Sequence, residues 1–572
     1  MARLNSSVRS RDLRTAGRVH DDGGMRIRVA TGLMIVALAA AIVPVAVAQA
    51  ASSQPAAGRA VSGRAVSGQA GSGRAGASPA ARAAQIAVLT AALAKMRAHY
   101  RGLQSYSPGV ADIYDYGIGA LWRDGIDGAG TTIAVLEGWN DPGVASVVRQ
   151  FDQPLGLPDP VIRTIYPAGP LPKTCPAGMA KLGSYGDCQG WQGELDLDVV
   201  SAHLIAPYAK ILIVVTPADT QIQDDAASQV APPEMMAAVE DIASHHLANV
   251  ISISDGTGES TYSHGNEEIT AQSPAELAAA AQGIPVVAGT GDCGVVQNLA
   301  VANGQCQDTT TKPATATWDD SPWVTAVSGS VPDLSVTGKR AGSDPVWSDG
   351  VFAGGAGFSS VFTRPWYQDA VVPGTMREVP DITMDASQGT SEATPLFAGV
   401  LALATQRNKG ANVGPVNPAL YLALGPAGAR DGIADVVRGS DSVTTQSAGL
   451  QRGYRAGPGF DIATGWGTVY APRFVTSLVA NVGLDVAARQ RARDQLAVLE
   501  HTSITLTRTS AGYSVDATGF LPGHPVQVLV NGTRIAVVRA DAAGEVSTAV
   551  QASTGTLTLH GMLITETAAL SR

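Results

Sequence analysis

The sequence predicts an α/β protein: a parallel sheet with helices on both faces, followed by a small C-terminal antiparallel β-sandwich. Three observations carry this. Residues 131–136, 210–215, 248–254, 284–288 and 324–327 are short, nearly continuous apolar runs. Runs of that kind belong to strands buried on both sides. Helical patterns lie between several of them, at 194–205, 233–246 and 274–282, as a parallel sheet requires. Near Leu499 the texture changes to short β-rich runs at 502–507, 513–517, 526–530, 534–538, 546–550 and 555–560, separated by Gly, Pro, Asn and Asp. That spacing is the pattern of a sandwich.

The chain has 572 residues, 45% hydrophobic and 15% charged. Several domains of ordinary size fit that length. The net charge of -10 argues against nucleic acid as a partner. It suits a protein that works in acid, where protonation trims the negative charge. Arg26 and Arg28 precede an uncharged run from Val29 to Ala50 that closes on Ala48-Gln49-Ala50. A basic flank, an apolar run and a small-x-small end make a secretory signal peptide. The run also approaches membrane-spanning length, but Pro44 and the Ala-x-Ala end favour cleavage. A secreted, extracellular protein without stable membrane association after cleavage is expected.

Residues 51–79 repeat Gly-Arg-Ala and Ser-Gly units, a flexible low-complexity linker. Residues 80–103 read as a helix, with Ile86, Leu89, Leu93 and Met96 at helical spacing. The expected organisation is therefore 1–50 signal peptide with an N-terminal extension, 51–104 linker and helix, 105–485 the α/β domain, and 486–572 a helical connector and the sandwich. Four cysteines fall as local pairs, Cys175 with Cys188 and Cys293 with Cys306. In an exported chain these read as two short-loop disulfides.

Three stretches carry chemistry. In Gly389-Thr390-Ser391-Glu392-Ala393-Thr394-Pro395 a glycine allows a sharp turn before a serine that opens a long apolar helix. A helix N-terminus favours developing negative charge, which suits a nucleophile that generates an oxyanion. An N-cap serine on a core helix is the plainer reading of that stretch alone. Glu194 and Asp198 are spaced to share one helix face. Like charges so placed repel unless they share a proton or a function offsets the cost. Asp292 stands between glycines after a buried strand, as a turn residue or a site residue.

Together these stretches resemble the sedolisin family, the serine-carboxyl peptidases, whose fold is subtilisin-like. Glu194-x-x-x-Asp198 is similar to the family's Glu and Asp pair. Ser252-Ile253-Ser254-Asp255-Gly256-Thr257-Gly258-Glu259 looks like its Ser-x-Ser-x-Gly-x-x-Glu stretch, and Gly291-Asp292-Cys293-Gly294 its Gly-Asp-Ser-Gly segment. Gly357-Phe358-Ser359-Ser360, Val379-Pro380-Asp381-Ile382 and Gly389-Thr390-Ser391 follow in the family's order. The resemblance covers roughly residues 105–479. It implies a serine-type endopeptidase active in acid on polypeptide substrates. Ser391 is the implied nucleophile, Glu194 its base, Asp198 the partner of that base and Asp292 the oxyanion donor; Glu137 extends the acidic network.

The resemblance also implies one structural calcium ion. Asp435-Val436 stands for the family's Asp-Ile pair, and Gly457-Pro458-Gly459-Phe460-Asp461 is similar to its Gly-x-Gly-x-Asp loop. The implied ligands are Asp435, Asp461 and the carbonyls of Val436, Gly457 and Gly459, hard oxygens that suit a hard cation. A monomer is expected. The chain departs from the family in its short 51–104 region, in the short step from Asp381 to Ser391, and at Gln388 and Asp255.

Two alternatives stand beside this reading. A subtilisin with an Asp-His-Ser triad needs an aspartate after the first strand, where this chain has Glu137, and His203 reads as a structural residue in an apolar helix face. A peptidase-like scaffold without activity, docking through the sandwich, is the alternative of another class.

Overall fold

A computed structural model describes residues 78–102, 109–167, 169–175, 187–216, 232–256, 258–261, 269, 272–297, 301–302, 305–306, 313–335, 338–445, 448–499, 503–520, 525–541, 543–560 and 565–571. The chain divides into two units, Met1–Gly71 and Ser72–Arg572, and every described residue lies in the second. The expected signal segment and most of the repeat linker fall outside them. Among the described residues no helix is long and apolar enough to cross a membrane.

The helices that matter here are α1 (Pro79–Gly102), α2 (Val110–Asp115), α3 (Ile118–Arg123), α4 (Val144–Leu155), α5 (Cys188–Ile205), α6 (Pro232–His245), α7 (Ser273–Ala281), α8 (Thr390–Arg407), α9 (Ala471–Ala480) and α10 (Val482–Leu499). The strands of the main sheet are β1 (Thr132–Glu137), β2 (Val161–Ile165), β3 (Lys210–Val215), β4 (Val250–Ile253), β5 (Val286–Gly289) and β6 (Val324–Ser330). After a two-stranded antiparallel pair, β7 (Gly357–Thr363) with β8 (Met376–Val379), comes the last strand of that sheet, β9 (Ile382–Asp385).

The seven strands run in the order β9-β6-β5-β4-β1-β3-β2, and all neighbours are parallel. Successive side chains on a strand point to opposite faces, and the core divides accordingly. Ile133 and Val135 join Ile211, Ile213 and the apolar residues of α5, α8 and α9. Ala134 and Leu136 join Leu212, Val214 and the apolar residues of α6 and α7. Helices therefore cover both faces, as the apolar runs predict.

Two strands of this sheet have no continuous apolar run. β2 is an edge strand, exposed or half-buried along its length. β9 carries Thr383 and Asp385, polar residues that are buried all the same. Glu137 does not follow the first strand; it is its last residue.

The C-terminal part forms a three-stranded and a four-stranded antiparallel sheet. Its strands are β10 (Ser503–Thr509), β11 (Gly512–Thr518), β12 (Pro525–Val530), β13 (Thr533–Arg539), β14 (Val546–Val550), β15 (Gly555–His560) and β16 (Thr565–Leu570). Their orders are β10-β11-β14 and β13-β12-β15-β16. Val515 from one sheet and Val528, Leu557 and Leu559 from the other are fully buried in one core. Asn531 and Gly532 turn the chain between β12 and β13 with positive φ at both residues, the turn that fits a twisted hairpin.

Helix α10 precedes these sheets but packs on the α/β core. Ala488 and Ala492 are buried against Leu277, Ala280, Ala281 and Trp323. Arg489 donates to the carbonyls of Gly414 (2.7 Å) and Asn412 (2.6 Å).

Candidate active site

The acids expected to act converge beyond the carboxyl ends of the strands, where parallel sheets present their ligands. Helix α5 brings Glu194 and Asp198. It is capped by Asp187, whose Oδ1 accepts from the backbone N–H of Gln189 (3.0 Å) and Gly190 (2.8 Å), and its first residue, Cys188, is disulfide-bonded to Cys175. The end of β1 brings Glu137, fully buried, with no hydrogen-bond donor on either carboxylate oxygen.

These carboxyls feel one another. Burial pushes Glu194 up to about 8; the Ser391 hydroxyl pulls the other way, and Asp292 and Asp255 add repulsion. Burial, then the Glu194 charge, hold Asp198 well above the usual carboxylate range, while the Ser254 hydroxyl opposes them. Burial, then Asp198, Glu194 and Asp255, hold Glu137 well above it too. Asp255, just past β4, is pushed to about 6 by burial against a hydrogen bond from the Gly256 backbone. Such a group takes up protons well above the range of free carboxylates and releases them in coupled steps.

Ser391 is the second residue of α8. Gly389 enters the helix at φ 95°, a conformation that side chains resist. Pro395 lies four residues after Ser391 and has no N–H, so the Ser391 carbonyl loses its partner in the helix ladder. The Ser254 hydroxyl donates to that carbonyl at 3.4 Å. The proline thus frees a helix carbonyl, and the strand bearing the Ser-x-Ser motif supplies its donor.

Asp292 follows β5 and reaches the same helix end. Its Oδ1 accepts from the Thr390 backbone N–H (2.8 Å) and hydroxyl (2.9 Å). With Oδ1 committed as an acceptor, Oδ2 is the oxygen left to carry a proton. Burial raises its pKa above the usual value and the two Thr390 bonds oppose that. A Cβ on Gly389 would stand 2.6 Å from Oδ2, so only glycine leaves this oxygen room. The Cys293–Cys306 disulfide ties down the loop immediately after Asp292.

The motif acids outside this group have structural partners. Glu259 accepts from the hydroxyl and backbone N–H of Ser360 (2.6 and 2.7 Å) and from the Ser359 hydroxyl, clamping β7. Asp381 makes a fully buried two-point pair with Arg377 (2.8 and 2.6 Å) and accepts from the Tyr421 hydroxyl at 2.7 Å. His203 lies 3.2 Å from Asp152 of α4, both buried. It is nine residues from Glu194 on α5, half a revolution away at 100° per residue, so it faces away from Ser391's partner.

The expected cation ligands also meet. Gly459 N–H donates to Asp435 Oδ2 and Gly457 N–H to Asp461 Oδ2, each at 2.8 Å. Asp461 Oδ1 holds the turn beyond through Ala463 and Thr464. Asp435 Oδ1 is buried without a partner. Two carboxylates from different segments, both bonded to one glycine-rich loop and one with an unmatched oxygen, fit a hard cation.

The Subtilase family matches residues 183–452. Kumamolisin from Bacillus sp. (strain MN-32) is 29% identical over 406 residues, 66% of this chain and 65% of that one. Sedolisin from Pseudomonas sp. (strain 101) is 28% identical over 314 residues, 50% of this chain and 49% of that one. The solved structure of Pseudomonas sedolisin, a serine-carboxyl proteinase complexed with pseudo-iodotyrostatin, superposes with a TM-score of 0.51 at 25% identity, covering 62% of this chain and 94% of that one. The chain is similar in sequence and in fold to the sedolisin family. It spans 65% of the length of kumamolisin and 38% of human tripeptidyl-peptidase 1.

Sequence reasoning finds the sedolisin-like carboxyls and serine but not the supports between them. Thr390 as the double donor to Asp292 is legible only as part of the Gly-Thr-Ser motif. Asp152, the partner of His203, gives no signal in sequence, because it lies on a different helix.

Proposed function

We propose that this chain is a secreted serine-type endopeptidase that hydrolyses peptide bonds of polypeptide substrates in acid. The observation that carries the reading is the placement of the Ser391 hydroxyl near enough to Glu194 to oppose the rise of its pKa on burial, with Asp292 at the same helix end. Ser391 attacks the scissile carbonyl and Glu194 takes its proton, the part histidine plays in the familiar triad. Asp198 and Glu137 share the proton load of Glu194, so one negative charge, not three, is held in the buried group. Asp292, protonated on Oδ2, donates to the oxyanion as it forms. The acyl-enzyme that results is released by water. Normal turnover of an acid-pH peptide substrate by folded Ser391→Ala protein would rule the assignment out.

Calcium is proposed at Asp435 and Asp461 with the carbonyls of Val436, Gly457 and Gly459, supported by the unmatched Asp435 oxygen. Bound there, it would stabilise the loop by binding the folded state alone; elemental analysis before and after chelation tests it. The signal peptide at 1–50, the short 51–104 region, the peptidase domain at 105–485 and a monomeric state belong to the same proposal. N-terminal sequencing of secreted protein and its mass in solution test those parts.

A further inference from the structure

Under the helix that carries Ser391, three more carboxylates meet. Asp112 comes from α2, Asp385 from the end of β9 and Glu392 from the first turn of α8, and one oxygen of each lies within 4.8 Å of the others. Their exposures are 0%, 2% and 3%. Two are oriented by donors of their own. Asp385 Oδ1 accepts from the Ser387 N–H (3.0 Å) and hydroxyl (2.6 Å). Glu392 accepts from the Gln388 N–H (2.9 Å) and side-chain amide (3.3 Å). Asp112 has no donor on either oxygen and is aimed at the other two.

Among the described residues no cation forms an ion pair with any of the three. Arg340, the nearby cation, is committed to Asp115 (2.5 Å) and Asp344 (3.4 Å). Buried charges without partners are costly, so the cluster takes up either protons or a metal ion. The spacing admits an ion. Oxygens about 2.4 Å from a common centre stand at most about 4.8 Å apart. Carboxylates already oriented by outer hydrogen bonds are the usual build of a metal site. No sulfur or imidazole contributes, which selects a hard cation.

We propose that Asp112, Asp385 and Glu392 bind a divalent, oxygen-preferring cation of the calcium or magnesium class, at a site separate from the Asp435–Asp461 loop. The ion would tie α2 to the N-terminal turn of α8, one residue from Ser391.

The test uses the full chain with the other loop disabled by Asp435→Asn and Asp461→Asn, stripped with chelator and held near neutral pH so that protons compete least. Calcium or magnesium alone is then titrated in, with bound metal read by elemental analysis and stability by thermal unfolding. The expected result is one ion per chain and a raised midpoint, both lost on adding Asp112→Asn. Glu392→Gln, which keeps Asp112 and its packing, should lose them too and serves if the first variant fails to fold. Absence of any bound ion, or binding that survives both substitutions, overturns the site. So does an Asp112→Asn variant stabilised equally with and without metal, which would mean that the cluster holds protons instead.

Discussion

The protein should lose stability as pH rises from acid towards neutral, and Glu276 shows by how much. This glutamate of α7 is 1% exposed. Burial pushes its pKa from the usual 4.5 to about 8, with the Ser321 hydroxyl pulling the other way. Between those two values the folded chain holds a proton that the unfolded chain has released. More protons bound in the folded state means that stability falls with rising pH. The contribution is fully present below about pH 4 and is lost as pH climbs through about 8. Each unit in that window costs about 1.4 kcal/mol, so one such group removes about 3 kcal/mol between about pH 5 and pH 7. A total stability of about 5–15 kcal/mol makes that a large share. Asp115 (about 8) and Asp441 (about 7) are shifted in the same direction, chiefly by burial, so their effects accumulate. Glu276→Gln keeps the shape and removes the proton. The assay is urea unfolding across that pH range, in a Ser391→Ala background that prevents self-digestion. The parent should weaken steeply with pH, and the Gln variant less steeply by the slope of about one proton. A flat parent profile, or equal slopes in the two proteins, would refute the reasoning.

Two further outcomes follow from the helix end. Asp292→Asn should retain partial activity and lose part of the alkaline limb of kcat/KM, since an amide donates without needing a proton; an unchanged limb would show that the limb reports another group. Gly389→Ala should keep the fold at a strain cost of about 1–3 kcal/mol while displacing Asp292. Its kcat should then fall by roughly 100- to 1000-fold, the usual loss for one oxyanion donor, and full activity would contradict the close approach of Gly389 to Asp292.

Much of this was legible in the sequence because its causes are local. Apolar runs such as 210–215 mark buried strands through their own composition. Glu194 and Asp198 share a face because a helix repeats every 3.6 residues. The Gly389 turn, Ser391 and Pro395 sit within one short stretch. What could not be read depends on contacts between distant segments. β2 hides because an edge strand needs no apolar run, and β9 because Asp385 and Thr383 are buried by tertiary packing. The Asp112–Asp385–Glu392 cluster is assembled from three elements, and its members look like ordinary surface acids in the sequence. Helix α10 reads as a charged connector, yet two alanines and the Arg489 guanidinium fix it to the core.

The central claim is that Ser391, with Glu194 as its base, is the nucleophile. It is tested most directly by treating the folded protein at acid pH with an active-site-directed acylating or aldehyde inhibitor and mapping the adduct by mass spectrometry. The account predicts one adduct, on Ser391, formed far more slowly in Glu194→Gln protein. An unlabelled Ser391, or labelling at an undiminished rate in Glu194→Gln, would contradict it.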